Sequence, residues 1–319
     1  MSWRQSVHGR ALGYDSNNLF LHGRVVGNPL AGRGKYVYVD SAVAGASGSN
    51  PDEAVATLDE AFALCTANVG DTIVVMPNHA ETVTGVGGIA HDVAGVSVVG
   101  LGTGNQRPRF LMDGGTTVTY LISAADAYVE NLVFASGHAD VVTCIGISTG
   151  VHAQIIGCEF GDNIATENFL SCITSTGAAN TADGLVVRDC FCYTPDASTI
   201  GFVMMTDDSI GLRLEDNVVI SEGTGLATLV TVATGKDVRG IRVLRNYLSS
   251  KATAGNLFVS NDTASPNNSG IIAHNRIRHA DVTGAHALGA VGGCGFFDNL
   301  SASTDAVSGV ILPAADVDL

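Results

Sequence analysis

The chain has 319 residues, 46 % of them hydrophobic, with 39 Gly, 7 Pro and only 15 % charged residues. That is ample apolar material for a continuous core, and the abundance of Val, Ile, Thr, Ala, Ser and Asn suits short strands joined by tight turns rather than helices. The net charge of −15 argues against nucleic acid as a ligand, because phosphate binding needs the opposite field.

The charge is unevenly spread. Residues 1–35 hold Arg4, Arg10, Arg24, Arg33 and Lys35 against Asp15 alone, a balance of +4, whereas residues 36–319 hold 11 basic and 30 acidic groups, net −19. The first segment, which also carries the single Trp (Trp3), reads as an extended basic arm that docks on an acidic surface, either its own body or a partner. Its opening, Met-Ser-Trp-Arg-Gln-Ser-Val-His, lacks the apolar stretch of a signal peptide, and no run approaches the roughly 18 apolar residues of a membrane span. A protein that stays where it is made, with no membrane partner, is the expectation. The seven Cys form no CxxC pair and no cluster with His at metal spacing, so reduced, buried thiols are expected and no metal or cofactor.

After the arm, GKYVYVDS (34–41) reads as a lead-in strand and 44–50 as a Gly/Ser-rich loop. PDEAVATLDEAFALCTAN (51–68) then reads as one amphipathic helix, with Ala54, Leu58, Phe62 and Cys65 on one face and Asp52 and Glu53 in its first turn. DTIVVMP (71–77), GVSVVGLG (95–102) and TTVTYLIS (116–123) read as the first, less regular coils of a repeat.

From there one pattern recurs: aliphatic residues, a polar residue, Asn or Cys in a fixed slot, then another short strand. The slots are Asn131, Cys158, Cys190, Asn217, Asn246, Asn275 and Asn299, spaced by 27, 32, 27, 29, 29 and 24 residues. Twelve to fourteen residues beyond each comes a second apolar stretch, such as VVTCIGI, NFLSCITS and ATLVTVAT. Matching offsets in a long period are the mark of a stacked coil, in which each strand pairs with its counterparts above and below. Asn in the slot tolerates the left-handed backbone and hydrogen-bonds its carboxamide along a ladder, while Cys158 with Cys190, and Cys144 with Cys172, stack as small apolar groups. The fold class that follows is all-β: a single-stranded right-handed parallel β-helix over 71–319, preceded by the arm (1–35) and by a lead-in strand and capping α-helix (36–70). The helix covers the open end of the coil, whose first rung would otherwise face water. The final GVILPAADVDL reads as one more coil edge.

Residues 36–84, in which a helix is followed by Gly-Asp and a first strand ending near Pro, resemble the leading segment of pectate-lyase-like β-helix proteins. With TANVGDTIVVMPNHAETV and the preceding WRQSVHGRALGYD, the segment is similar to β-helix structural proteins of tailed bacteriophages. This resemblance implies a virion protein, commonly a homotrimer, made in the host cytoplasm. Enzymes of this fold use clustered Asp for Ca²⁺ with an Arg or Lys base, or paired carboxylates. The carboxylate groups here are Asp207, Asp208, Glu215 and Asp216, then Glu159, Asp162 and Glu167, and a stripe before the slot of Glu130, Asp189, Asp216 and Asp298. On an acidic solenoid these read as solvated coil surface. Only Arg213 stands beside the first group, and His79, His91, His274 and His279 are scattered. Exposed aromatic platforms for sugars are thin, with Tyr193 and Tyr247 the candidates.

The expectation is therefore a non-enzymatic capsid decoration or cement protein, its arm (Trp3, Arg4, Arg10, Arg24, Arg33) bound to the major capsid protein or another virion protein. The alternative is a tailspike or tail fibre that binds, and in some cases cleaves, a host-surface glycan.

Overall fold

The computed structural model describes residues 34–303 apart from 44, 165, 196–199, 224–226, 252–254, 261–266 and 280–292. It also describes the backbone of short strands at Tyr14–Asp15, Asn18–Leu21, Arg24–Gly27 and Gly309–Val310.

The chain winds as a right-handed parallel β-helix with three sheets, here sheets 1, 2 and 3, containing ten, ten and seven strands. A full coil contributes one strand to each sheet in turn, as Tyr128–Glu130, Val133–Ser136 and Ile145–Ile147 do. The pairing is in register over the whole length. In sheet 1 a single column runs Val37, Ile73, Val98, Val129, Ile155, Val187, Leu214, Val243, Ile272 and Phe296. All but Phe296 are buried. In sheet 2 the inward column is Phe110, Phe134, Phe160, Cys192, Val219, Leu248 and Ile277. Its phenyl rings stack at 5.8 and 5.6 Å, and Tyr120 of sheet 3 meets Phe134 edge-on at 5.8 Å. Aromatic pairs at such separations add about 0.5–1.5 kcal/mol each beyond the area they bury.

The unit therefore has three strands, where the repeat suggested two apolar stretches. The first stretch is folded at its middle: the polar residue of AYVENLVF or GLRLEDNVVI turns the chain from sheet 1 into sheet 2. Likewise TTVTYLIS is not a separate coil. Its strand Tyr120–Ile122 lies in sheet 3 and completes the coil begun by Ser97–Gly100.

The capping helix is shorter than the pattern predicts. Pro51–Glu53 form a 3-10 turn, and α1 spans only Leu58–Leu64. Between them Val55 bridges to Val39, donating its N–H to Tyr38 O and accepting from Asp40 N–H, so strand pairing interrupts the helix. Thr57 restarts it with a capping box: Glu60 N–H donates to the Thr57 hydroxyl, and the Glu60 carboxylate accepts from Thr57 N–H. Leu58, Ala61 and Phe62 face the first rung, as expected of a lid. At the far end, Gly309–Val310 pairs antiparallel with Leu300–Ser303 and covers the last edge of sheet 2 instead of adding a parallel rung. The short strands Tyr14–Asp15, Asn18–Leu21 and Arg24–Gly27 pair antiparallel in that order.

Candidate functional site

The corner between sheets 1 and 2 carries the slot residues. The left-handed backbone there belongs to the residue before the slot: Asn131, Gly157, Asp189, Asp216, Arg245, His274 and Asp298 all have φ between 48° and 60°. Asn131 is thus a corner residue, its Nδ2 donating to Gly100 O and Gly102 O, and the slot in its coil is the buried Leu132. This corrects its assignment to the ladder. Asn suits both the left-handed corner and the slot that follows it, so the sequence pattern alone does not separate the two positions.

Asn217, Asn246, Asn275 and Asn299 form the ladder itself. Each Nδ2 of the first three donates to the next Oδ1, at 2.9, 3.0 and 2.9 Å. Each of those Oδ1 atoms also accepts the backbone N–H of the preceding slot, and every Nδ2, that of Asn299 included, donates to a carbonyl of the previous coil. The ladder ends at Cys190, whose N–H donates to Asn217 Oδ1. Beyond it, where the slots are Leu132, Cys158 and Cys190, Arg107 supplies donors: it reaches Leu132 O (3.1 Å), Gly157 O (2.6 Å) and Glu159 Oε2 (2.9 Å) with its side chain only 14 % exposed. Nothing in the local sequence marks Arg107, because its partners lie 25 to 52 residues away.

The carboxylates do not converge. Asp207 pairs with Lys236 Nζ at 2.7 Å and Asp208 accepts Asp237 N–H, while Glu215 and Asp216 lie at the other end of strand Arg213–Glu215. There Arg245 grips Asp216 bidentately at 2.8 and 2.7 Å, holding its carboxyl below the usual range. Glu159 is held by Arg107, Asp162 accepts from the Thr194 hydroxyl, and Glu167 accepts from Asn163 Nδ2. Glu130, Asp189 and Asp298 are met by Tyr128, Arg188 and His274. Among the described residues no group of three or more His, Cys, Asp or Glu has metal-binding geometry.

The histidines are tied into structure. His79 is buried at the capped end. Ser41 N–H donates to its Nδ1 (3.0 Å), and its Nε2–H donates to Glu81, which also accepts Leu58 N–H at the start of α1. Serine, histidine and glutamate meet here, but the imidazole lone pair is taken by a backbone N–H and the Ser41 hydroxyl accepts from Ala80 N–H, so no base faces it. His91 stands between Phe62 (4.5 Å) and the Tyr120 hydroxyl (3.0 Å), and burial pushes its pKa down to about 4. His274 pairs weakly with Asp298 on the exposed corner, and the His279 side chain lies outside the described residues.

Six of the seven cysteines are buried, and Cys65 is half-buried. Cys158 and Cys190 occupy adjacent slots, Cys144 and Cys172 precede the paired Ile145 and Ile173, and Cys192 in sheet 2 meets Cys172 at 3.5 Å between sulfurs. All seven thiols are free, and burial raises the pKa values of Cys144, Cys172 and Cys190.

What the repeat left unread is the outer face of sheet 2. Phe191 (38 % exposed) and Tyr193 (42 %) share it with Val218, Ile220 and Tyr247 of the next two coils. The signal was present in strands apolar on both faces, such as NVVI. Of the arm residues, Trp3, Arg4, Arg10 and Arg33 lie outside the described residues, and Arg24 is described only as the first residue of a strand. No family model, curated protein or solved structure matches this chain.

Proposed function

We propose that the protein is a non-enzymatic structural component of a tailed-phage virion, a capsid decoration or cement protein anchored through its basic N-terminal segment. The observation that carries this reading is the change of sign between residues 1–35 (+4) and the remaining −19. A positive segment on a negative, rigid body attaches to an acidic surface while the body is repelled from it. The pairing of each candidate carboxylate to a backbone or side-chain amide, a hydroxyl or a cationic side chain supports a scaffold over a catalyst. Co-sedimentation with empty capsids tests it: removal of residues 1–35 lowers binding at least tenfold, and full binding by the truncated chain refutes the anchoring role.

A second reading, a tail fibre that binds host-surface polysaccharide, is favoured by one observation, the grouping of Tyr193 and Tyr247 on a single outer face. Release of oligosaccharide from capsular or lipopolysaccharide preparations, lost on D207N/D208N, would favour that reading.

A further inference from the structure

The outward column of sheet 2 is self-complementary about Val218 over three coils to either side. In register from coil to coil it runs Ala80, Arg109, Val133, Glu159, Phe191, Val218, Tyr247, Arg276 and Leu300. About Val218 the order is aromatic, charged, apolar in both directions, and the two charges are opposite. The parallel column beside it, which includes Ala135, Gly161, Tyr193, Ile220, Ser249 and Arg278, adds a second aromatic on the coil of Phe191 and a second cation on the coil of Arg276. Phe191, Tyr193 and Leu300 are 38, 42 and 45 % exposed, an uncommon outward row for a chain with 6 % aromatics. Arg276 and Arg278 are exposed and have no ion-pair partner among the described residues.

We propose that this face is the interface of an antiparallel two-fold dimer, its occupant a second copy of the chain. A two-fold axis lying along the strand direction through Val218 reverses the coil axis and keeps each column opposite itself. Val218 then faces Val218, Phe191 faces the partner's Tyr247, Val133 faces the partner's Leu300, and Glu159 faces the partner's Arg276. Oε1 of Glu159 remains for that contact, since its Oε2 is the atom held by Arg107. A parallel arrangement about the coil axis instead sets Arg276 against the partner's Arg278, like against like, and leaves Glu159 opposite Gly161. Charge thus selects the antiparallel pairing. The inference stands apart from the virion reading, although it also places residue 34 of the two copies at opposite ends of the pair.

Light scattering coupled to size exclusion tests it at micromolar concentration. The expected mass is twice the 32.7 kDa of one chain. R276E raises the dimer dissociation constant at least tenfold, and adding E159R to R276E restores it. Within one chain those residues are four coils apart, about 19 Å at the strand spacing, so an intramolecular effect cannot produce the rescue. Because Glu159 also holds Arg107, a V218C variant gives a measurement that leaves Glu159 intact: a short bis-maleimide links two copies through residue 218, above the wild-type background. A monomer, a homotrimer, R276E dimerising as wild type, or no cross-linking of V218C overturns the proposal. A monomer that retains host glycan on this face would assign it to that ligand instead.

Discussion

Replacing Asn246 by Leu removes the centre of the ladder while nearly preserving volume. The Asn246 side chain makes four hydrogen bonds in a fully buried corner: its Oδ1 accepts from Asn217 N–H (3.0 Å) and Asn217 Nδ2 (2.9 Å), and its Nδ2 donates to Leu214 O and Asn275 Oδ1, both at 3.0 Å. At a net worth of about 1 kcal/mol each, some 4 kcal/mol is lost. Burying the leucine side chain returns about 1.5 kcal/mol, leaving a destabilisation of about 2–3 kcal/mol. The loss is local, because the two donors left without an acceptor, the backbone N–H and one Nδ2 proton, both belong to Asn217. Solenoids open coil by coil, so the sensitive assay is hydrogen exchange rather than a single melting point. Exchange at Asn217 is expected to accelerate about 30- to 150-fold, at a factor of ten per 1.4 kcal/mol, with little change near Ile73 at the capped end. Unchanged protection at Asn217, together with a guanidinium midpoint equal to wild type, would show that the carboxamide ladder does not hold these coils.

Other consequences follow from the same contacts. R107M strips donors from Leu132 O and Gly157 O and leaves Glu159 without its cation. It should cost about 2–4 kcal/mol and loosen the coils around residues 132–160, read by the same exchange measurement. His91 is neutral in the fold, with its pKa depressed from 6.5 to about 4, so stability is complete above pH 6.5 and is lost as pH falls toward 4. The loss totals about 3 kcal/mol at about 1.4 kcal/mol per pH unit, and H91Q should flatten that part of the stability–pH curve. A thiol-disulfide reagent at pH 8 should find Cys144, Cys158, Cys172, Cys190 and Cys192 unreactive in the folded chain and all seven thiols reactive in guanidinium; rapid reaction of those five would contradict their interior placement.

The coil was legible because its cause is periodic: aliphatic residues at matching offsets have no other way to be buried together, and Val98 through Ile272 fall in one column. Where two physical demands fall on neighbouring positions, the pattern blurs. Asn serves both a left-handed corner and a carboxamide ladder, and Asn131 went to the wrong one. The helix over 51–68 shows the other limit, since its amphipathic face is genuine but Val55 pairs with Val39, a contact invisible to local periodicity. Arg107 and the outer face of sheet 2 were hidden for the same reason. Their meaning lies in which residues stack from coil to coil, and irregular coil lengths keep that register out of view until the strands are paired.

The most direct test of the functional account is electron microscopy of intact virions labelled with gold-conjugated antibody against the β-helix body. The expected result is label distributed over the capsid shell, and loss of that label from particles assembled with the chain lacking residues 1–35. Label confined to the tail, or particles free of label, would contradict it.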